Sequence, residues 1–271
     1  MTLDKRIPEH FSQRAQLAAQ TALAAGEVLL SYYDKEGLAF QPKGENDIVT
    51  AADLASEKCI FQQLRKHYPQ DGFIGEESGF TDLEHEFTWV ADPLDGTVNF
   101  AHGLPDFSIS VACMQEDRPL LGAVYVPATD ILILAERGKG AYKNSLPLKI
   151  RPCPQTDTAL IGMDFTRRSY TNLDEHLALY QRILPKVGNI IKPESTVMTT
   201  AYCACGRFDA VFEMCPCIWD IAASHVILEE AGATVSDRYG NPIHYDRAMG
   251  YSMVAGSKDL HRELIQMTLD I

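Results

Sequence analysis

Three apolar, β-rich runs in close succession limit what this chain can fold into. Phe107–Met114, Leu120–Val126 and Ile131–Ala135 are separated only by the turn segments Glu116-Asp117-Arg118-Pro119 and Pro127-Ala128-Thr129-Asp130. Runs of this length, joined by short polar links that carry proline, predict an antiparallel meander. The flanks read differently. Phe11, Ala15, Ala18, Ala22, Ala25, Leu29 and Tyr32 recur at three- and four-residue steps, the stripe of a long amphipathic helix ending near Lys35–Gly37. A second helix is predicted after Thr50, running to Tyr68, with Ile60, Leu64 and Tyr68 on one face and Pro69 as its stop. Beyond Arg151–Gln155 the pattern alternates: a strand near Ala159–Met163, helices near Asn172–Ile183 and Thr196–Cys205, a strand at Phe208–Glu213, a helix at Trp219–Ala231 and a strand–helix pair over Tyr251–Met267. A β-rich first half and an α/β second half predict two layered subdomains, residues 1–150 and 151–271, sharing an interior interface.

A chain of 271 residues has enough length for a large core. Its 24 Lys+Arg stand against 37 Asp+Glu, a formal charge of −13, which argues against a sequence-independent nucleic-acid binder, since those work through basic surfaces. The same charge admits an anionic small molecule if metal ions stand between it and the carboxylates. Met1–Gln16 is polar and lacks the apolar core of a signal peptide, and no run reaches the length of a membrane span. Seven cysteines, an odd number at low density, are expected to be reduced thiols of a cytoplasmic protein. The pairs Cys203/Cys205 and Cys215/Cys217 are closer than the usual structural-zinc spacing, and the first falls in a predicted helix, where i and i+2 do not share a face.

The chemistry concentrates in Trp89-Val90-Ala91-Asp92-Pro93-Leu94-Asp95-Gly96-Thr97. An apolar strand end runs into two aspartates three residues apart, with Pro93 fixing φ and Gly96 permitting a tight turn. Such a turn aims both carboxylates and the Leu94 carbonyl at one point, the all-oxygen environment of a hard divalent cation. A helix beginning after Gly96 would present the amides of Gly96 and Thr97 to a phosphate. The segment by itself is equally a capped turn. Gly75-Glu76-Glu77-Ser78 adds adjacent acids after Phe73-Ile74, and Trp219-Asp220 adds one at a predicted helix start; singly these read as a solvated loop and a helix-dipole charge.

Together, Asp53 in Asp47-Ile48-Val49-Thr50-Ala51-Ala52-Asp53, the Glu76 segment, Asp92-Pro93-Leu94-Asp95-Gly96-Thr97, Trp219-Asp220-Ile221-Ala222-Ala223 and Gly232 stand in the order of the inositol monophosphatase family, which the chain resembles over nearly its whole length. The resemblance implies an α/β fold, an alternating α/β/α/β/α sandwich, and a Mg²⁺-dependent phosphomonoesterase that is commonly a homodimer. It implies a first metal on Glu76, Asp92 and the Leu94 carbonyl, a second on Asp92, Asp95 and Asp220, and a weaker third at Glu76. Thr97, helped by Asp53, stands where the attacking water is oriented. Glu213 stands where the substrate hydroxyls are bound.

The chain departs from the family where Gly-Ser/Thr-Ala lines the alcohol side of the cleft: here the residues are Glu194-Ser195-Thr196. Glu194 puts bulk and charge where backbone would approach the substrate, which makes a cationic alcohol such as histidinol a rival to inositol. Fructose 1,6-bisphosphate and 3′-phosphoadenosine 5′-phosphate are further neighbours, and a regulatory binding protein on the same fold is the reading from another class. Other phosphate chemistries find no motif: there is no G-x-x-x-x-G-K-[ST] loop and no G-x-S-x-G elbow. Cys59 and Arg65 have the spacing of a cysteine phosphatase loop but fall inside the second predicted helix.

Overall fold

The computed structural model describes residues 4–33, 40–44, 47–79, 85–153, 155–165, 173–246 and 249–268. The first helix, α1 (Gln13–Tyr32), opens on Ser12, whose hydroxyl accepts the Ala15 N–H; its expected end at Lys35–Gly37 lies outside the described residues. A short hairpin, β1 (Phe40–Gly44) and β2 (Asp47–Thr50), leads into α2 (Ala51–His67). There Thr50 and Asp53 form a reciprocal capping box, while Arg65, Lys66 and His67 complement the dipole at the other end.

The predicted meander is the centre of a seven-stranded sheet of β3 (Gly72–Gly75), β4 (Phe87–Asp95), β5 (Ser108–Gln115), β6 (Arg118–Val126), β7 (Ile131–Glu136), β8 (Gly140–Lys143) and β9 (Leu146–Pro147), in that order. All neighbours are antiparallel except β3, which runs parallel to β4. A short helix, α3 (Thr97–Ala101), links β4 to β5. The second sheet has the order β11 (Asn189–Ile191), β10 (Leu160–Phe165), β12 (Ala210–Met214), β14 (Ser252–Gly256) and β13 (Thr234–Ser236). Its helices are α4 (Leu173–Ile183), α5 (Thr196–Ala204), α6 (Ile218–Glu230) and α7 (Lys258–Thr268).

The first sheet is continuous apolar sequence because both its faces are covered. Trp89 and Ala91 of β4, and Ile109, Val111 and Cys113 of β5, join the core shared with α1 and α2. The alternate residues Val90, Ala112 and Met114 join the core shared with α5 and α6. A third core packs Leu179 and Ile183 of α4 and Leu260 and Leu264 of α7 against Ile161, Phe212 and Val254 of the second sheet. The layers are therefore α1/α2, first sheet, α5/α6, second sheet and α4/α7: the α/β/α/β/α sandwich expected from the resemblance. Cys59 and Arg65 lie within α2, and all seven cysteines are unbridged.

One local expectation changes. The chain does not leave its strand before Asp92; β4 continues to Asp95, and the turn comes only at Gly96. Asp92 faces Ser110 and Asp95 faces Ser108, so the intervening Pro93-Leu94 bulges out of the ladder. A proline lacks the ladder N–H, and a bulge re-aims the side chains on either side of it.

Candidate active site

Asp92, Asp95 and Asp220 each offer one carboxylate oxygen, and these oxygens lie within 4.8 Å of one another. Two come from the β4 bulge, where the Leu94 N–H donates to Asp92 Oδ1 at 3.0 Å. The third comes from the first turn of α6, where the Cys217 N–H donates to Asp220 Oδ2 at 2.7 Å. Ser110, the β5 partner of Asp92, donates its hydroxyl to the Trp219 carbonyl at 3.2 Å and so pins the start of α6 against the strand pair.

Asp95 is held from the other side. Its Oδ2 accepts the Ser195 hydroxyl and, at 3.0 Å, the Val197 N–H. Ser195 is the N-cap of α5 and accepts the Met198 N–H at 3.1 Å. Two helix N-termini, of α5 and α6, thus converge on the carboxylates, which suits their negative charge.

Glu76 follows β3, and its N–H donates to the Ala91 carbonyl at 3.2 Å, one residue before Asp92. Burial pushes the Asp92 carboxyl well above the usual carboxylate range, and the charges of Glu76, Asp95 and Asp220 add to that push against the lowering effect of the Leu94 N–H. A buried carboxylate opposed by three others is a hollow of negative potential. Oxygen-only donors of this kind fit a hard divalent cation, which would relieve the repulsion; among the described residues Asp92, Asp95 and Asp220 are grouped closely enough to hold one.

Beside this cluster, the Thr97 hydroxyl lies 3.2 Å from Asp53 Oδ1 and 3.1 Å from the Leu94 carbonyl, with one proton to give. Burial raises the Asp53 carboxyl, while the Thr50 hydroxyl, backbone N–H groups and Thr97 favour its ionised form. Gly96 turns between strand and α3 with φ +86°, and a Cβ there would sit 2.8 Å from the Asp106 carbonyl, so a side chain has neither the conformation nor the room.

The remaining sequence candidates lie in the second half. Thr196 is the first residue of α5 and buried beside Ser195. Glu213 is fully buried in β12, in register with Met253 of β14. Glu194 stands apart from them. Its φ is +60°, its side chain is 56% exposed, and its carboxylate pairs with Lys192 Nζ at 2.5 Å.

The structure adds two residues that the motifs did not single out. Ser56 donates its hydroxyl to the Pro93 carbonyl at 2.8 Å, and Glu57 accepts N–H groups from the turn that carries Glu76. Their signal was present in α2: the inward stripe of Ile60 and Leu64 continues back through Glu57, Ser56 and Asp53, polar yet buried.

The inositol monophosphatase family model matches residues 11–270. Nus factor SuhB of Pseudomonas aeruginosa is 34% identical over 255 residues, covering 92% of this chain and 93% of that protein. A fructose-1,6-bisphosphatase/inositol-1-monophosphatase of Aquifex aeolicus is 33% identical over 262 residues, covering 96% of each. Among solved structures, the inositol monophosphatase of Anabaena superposes with a TM-score of 0.84 at 29% identity, over 95% of this chain and 96% of that one. The chain belongs to the inositol monophosphatase family of phosphoric monoester hydrolases.

Proposed function

We propose that the chain hydrolyses a small phosphate monoester, inositol 1-monophosphate in the first place, with Mg²⁺ bound at two or three positions. The observation that carries this reading is the meeting of Asp92, Asp95 and Asp220 within 4.8 Å, with the Glu76 charge acting on Asp92. Glu76, Asp92 and the Leu94 carbonyl would hold one ion, Asp92, Asp95 and Asp220 a second, and Glu76 a weaker third. Bound there, Mg²⁺ would reverse the field felt by a dianionic ester, polarise its phosphoryl oxygens, acidify a water and stabilise the leaving alkoxide.

The protein's own groups do the aligning. Thr97, donating its proton to Asp53, keeps its oxygen lone pairs for orienting water. Gly96 and Thr97 offer backbone amides to the phosphate, while Glu213 and the Ser195-Thr196 start of α5 serve the alcohol side. The oxygen of water forms the new P–O bond as the ester P–O bond breaks, and the alcohol leaves with a proton, without a phosphoenzyme. On this reading residues 1–150 carry most of the metal-binding groups and residues 151–271 complete the site through Asp220.

The substrate reading favours inositol over a cationic alcohol because Lys192 already matches the charge of Glu194. A homodimer in the cytoplasm completes the proposal; unbridged cysteines accord with that compartment, and no helix among the described residues is long and apolar enough to cross a membrane. An added regulatory role is favoured by one observation, the name Nus factor borne by the Pseudomonas aeruginosa relative.

The test is phosphate release by purified protein from inositol, histidinol, nucleotide and sugar phosphates, with and without Mg²⁺. We expect Mg²⁺-dependent turnover with the highest kcat/KM for inositol monophosphate. Absence of metal-dependent release from every one of them would overturn the reading, and a better kcat/KM for another ester would reassign the substrate.

A further inference from the structure

We infer that Glu57 is a positioning residue for Glu76, acting through the backbone of the turn that carries it; the inference rests on the metal-dependent reading above. Glu57 follows Asp53 by one helical turn on α2 and is buried. A single oxygen, Oε1, accepts the Glu77 N–H at 2.9 Å and the Ser78 N–H at 3.2 Å. The approach is close: a Cβ added to Gly75 would stand 2.1 Å from that oxygen, so only glycine lets the end of β3 meet the carboxylate. The turn closes on itself where the Gly79 N–H donates to the Gly75 carbonyl at 2.8 Å.

Glu76 is therefore fixed from both flanks. Its own N–H is tied to β4 through the Ala91 carbonyl, and the next two N–H groups are tied to Glu57. Two successive N–H groups converging on one buried oxygen fix the direction in which the Glu76 side chain leaves the backbone. The same helix face holds two other motifs: Asp53 faces Thr97, and Ser56 donates to the Pro93 carbonyl inside the bulge. One rigid element, α2, thereby registers Glu76, the Asp92–Asp95 bulge and Thr97 against one another. That registration is what a metal site with ligands distant in sequence requires.

The geometry separates this role from a direct one. Both bonds go to one oxygen, so a glutamine offers the same acceptor at the same reach without the charge. An aspartate keeps the charge but falls one methylene short. A group acting by its charge on ions or substrate would tolerate Asp better than Gln; a group holding two backbone N–H groups must show the reverse.

The experiment compares the full chain with E57Q, E57D and E57A. Mn²⁺ binding is titrated calorimetrically without substrate, kcat and KM are measured for inositol monophosphate, and melting is followed in EDTA. We expect E57Q to bind Mn²⁺ and turn over like the parent, while E57D and E57A lose on the order of 10- to 100-fold in Mn²⁺ affinity, with kcat falling more than KM rises. E57D serves if E57A does not fold, because it keeps most of the side chain. Retention in E57D with loss in E57Q would overturn the inference in favour of a charge role. Parent-like binding in E57D or E57A would overturn it outright. A parent protein that binds no Mn²⁺ would instead remove the metal reading beneath it.

Discussion

The acidic cluster and the segment proposed to face the alcohol are built differently. Around Asp92, Asp95 and Asp220 each acid is gripped by a backbone N–H at 2.7–3.0 Å, and the partners are buried strands and helix starts. Glu194, in the other segment, sits more than half exposed on a left-handed residue and is paired with Lys192. Buried, charge-assisted bonds confine a side chain, whereas an exposed ion pair contributes at most about 1 kcal/mol and leaves it mobile. The fold thus constrains the groups that would hold ions far more tightly than the one residue that departs from the family pattern. On the proposed reading the ion-holding groups are accordingly the more firmly built, and position 194 the more adjustable one.

The sharpest way to break this contrast is Asp95→Asn. The amide oxygen can still accept the Ser195 hydroxyl and Val197 N–H, so the start of α5 stays anchored while one unit of charge leaves the cluster. We expect kcat/KM to fall by about 10²–10³-fold with folded circular dichroism retained. A mutant that turns over normally would remove Asp95 from the chemistry, and one that loses its fold would show that the start of α5 needs the charge as well as the acceptor oxygen. Thr97→Ala comes next, with a loss in kcat of about 10²-fold and recovery in Thr97→Ser, which restores the hydroxyl that faces Asp53. Equal loss in both variants would mean that packing, and not the hydroxyl, is what matters there.

How much of this was legible beforehand follows the same division. Asp92 and Asp95 stood out because Asp-Pro-Leu-Asp-Gly interrupts an apolar strand, and the layered architecture followed from periodicity together with the resemblance. Glu76 and Asp220 were ambiguous as residues; only their order among the other motifs drew attention to them. Ser56 and Glu57 were missed because their partners are a carbonyl and two N–H groups far away in sequence, which no side-chain pattern records. The strands β3, β11 and β13 have only three or four residues each, too few for periodicity to show, and exist by pairing with distant segments. The bulge in β4 was read as a turn for a related reason: its register, two residues opposite one, depends on β5.

A third prediction concerns stability. The Asp92 carboxyl is pushed well above the usual carboxylate range, by burial first and then by its acidic neighbours. With metal chelated, the native state holds this proton more tightly than the unfolded chain does. Stability must then decline as pH rises from the unfolded value through the folded one, and that cost is present at neutral pH whichever form the native carboxyl takes. Asp92→Asn removes the titration. In EDTA at neutral pH its Tm should exceed that of the parent by a few degrees, and the order should reverse when Mg²⁺ is added, since only the parent gains from binding. Calorimetry at both conditions checks this; a mutant less stable than the parent in EDTA would show that the cluster is not electrostatically strained.

The smallest effect is expected at Glu194. Replacing it by glycine removes an exposed ion pair with Lys192 and also frees a residue held at φ +60°. The left-handed conformation costs an L-residue roughly 1 kcal/mol, while the added flexibility of glycine and the lost pair act in the opposite direction with similar size. Net stability in Glu194→Gly should therefore shift by less than about 1 kcal/mol. An exposed charge already matched by a lysine can steer a substrate by no more than a similar amount, so kcat/KM for inositol monophosphate should move by less than about fivefold. The ratio of inositol to histidinol phosphate should move just as little. A loss of tenfold or more confined to the histidinol ester would place the Glu194 carboxylate against the bound alcohol, and the contrast between a rigid ion site and an uncommitted alcohol side would then no longer hold.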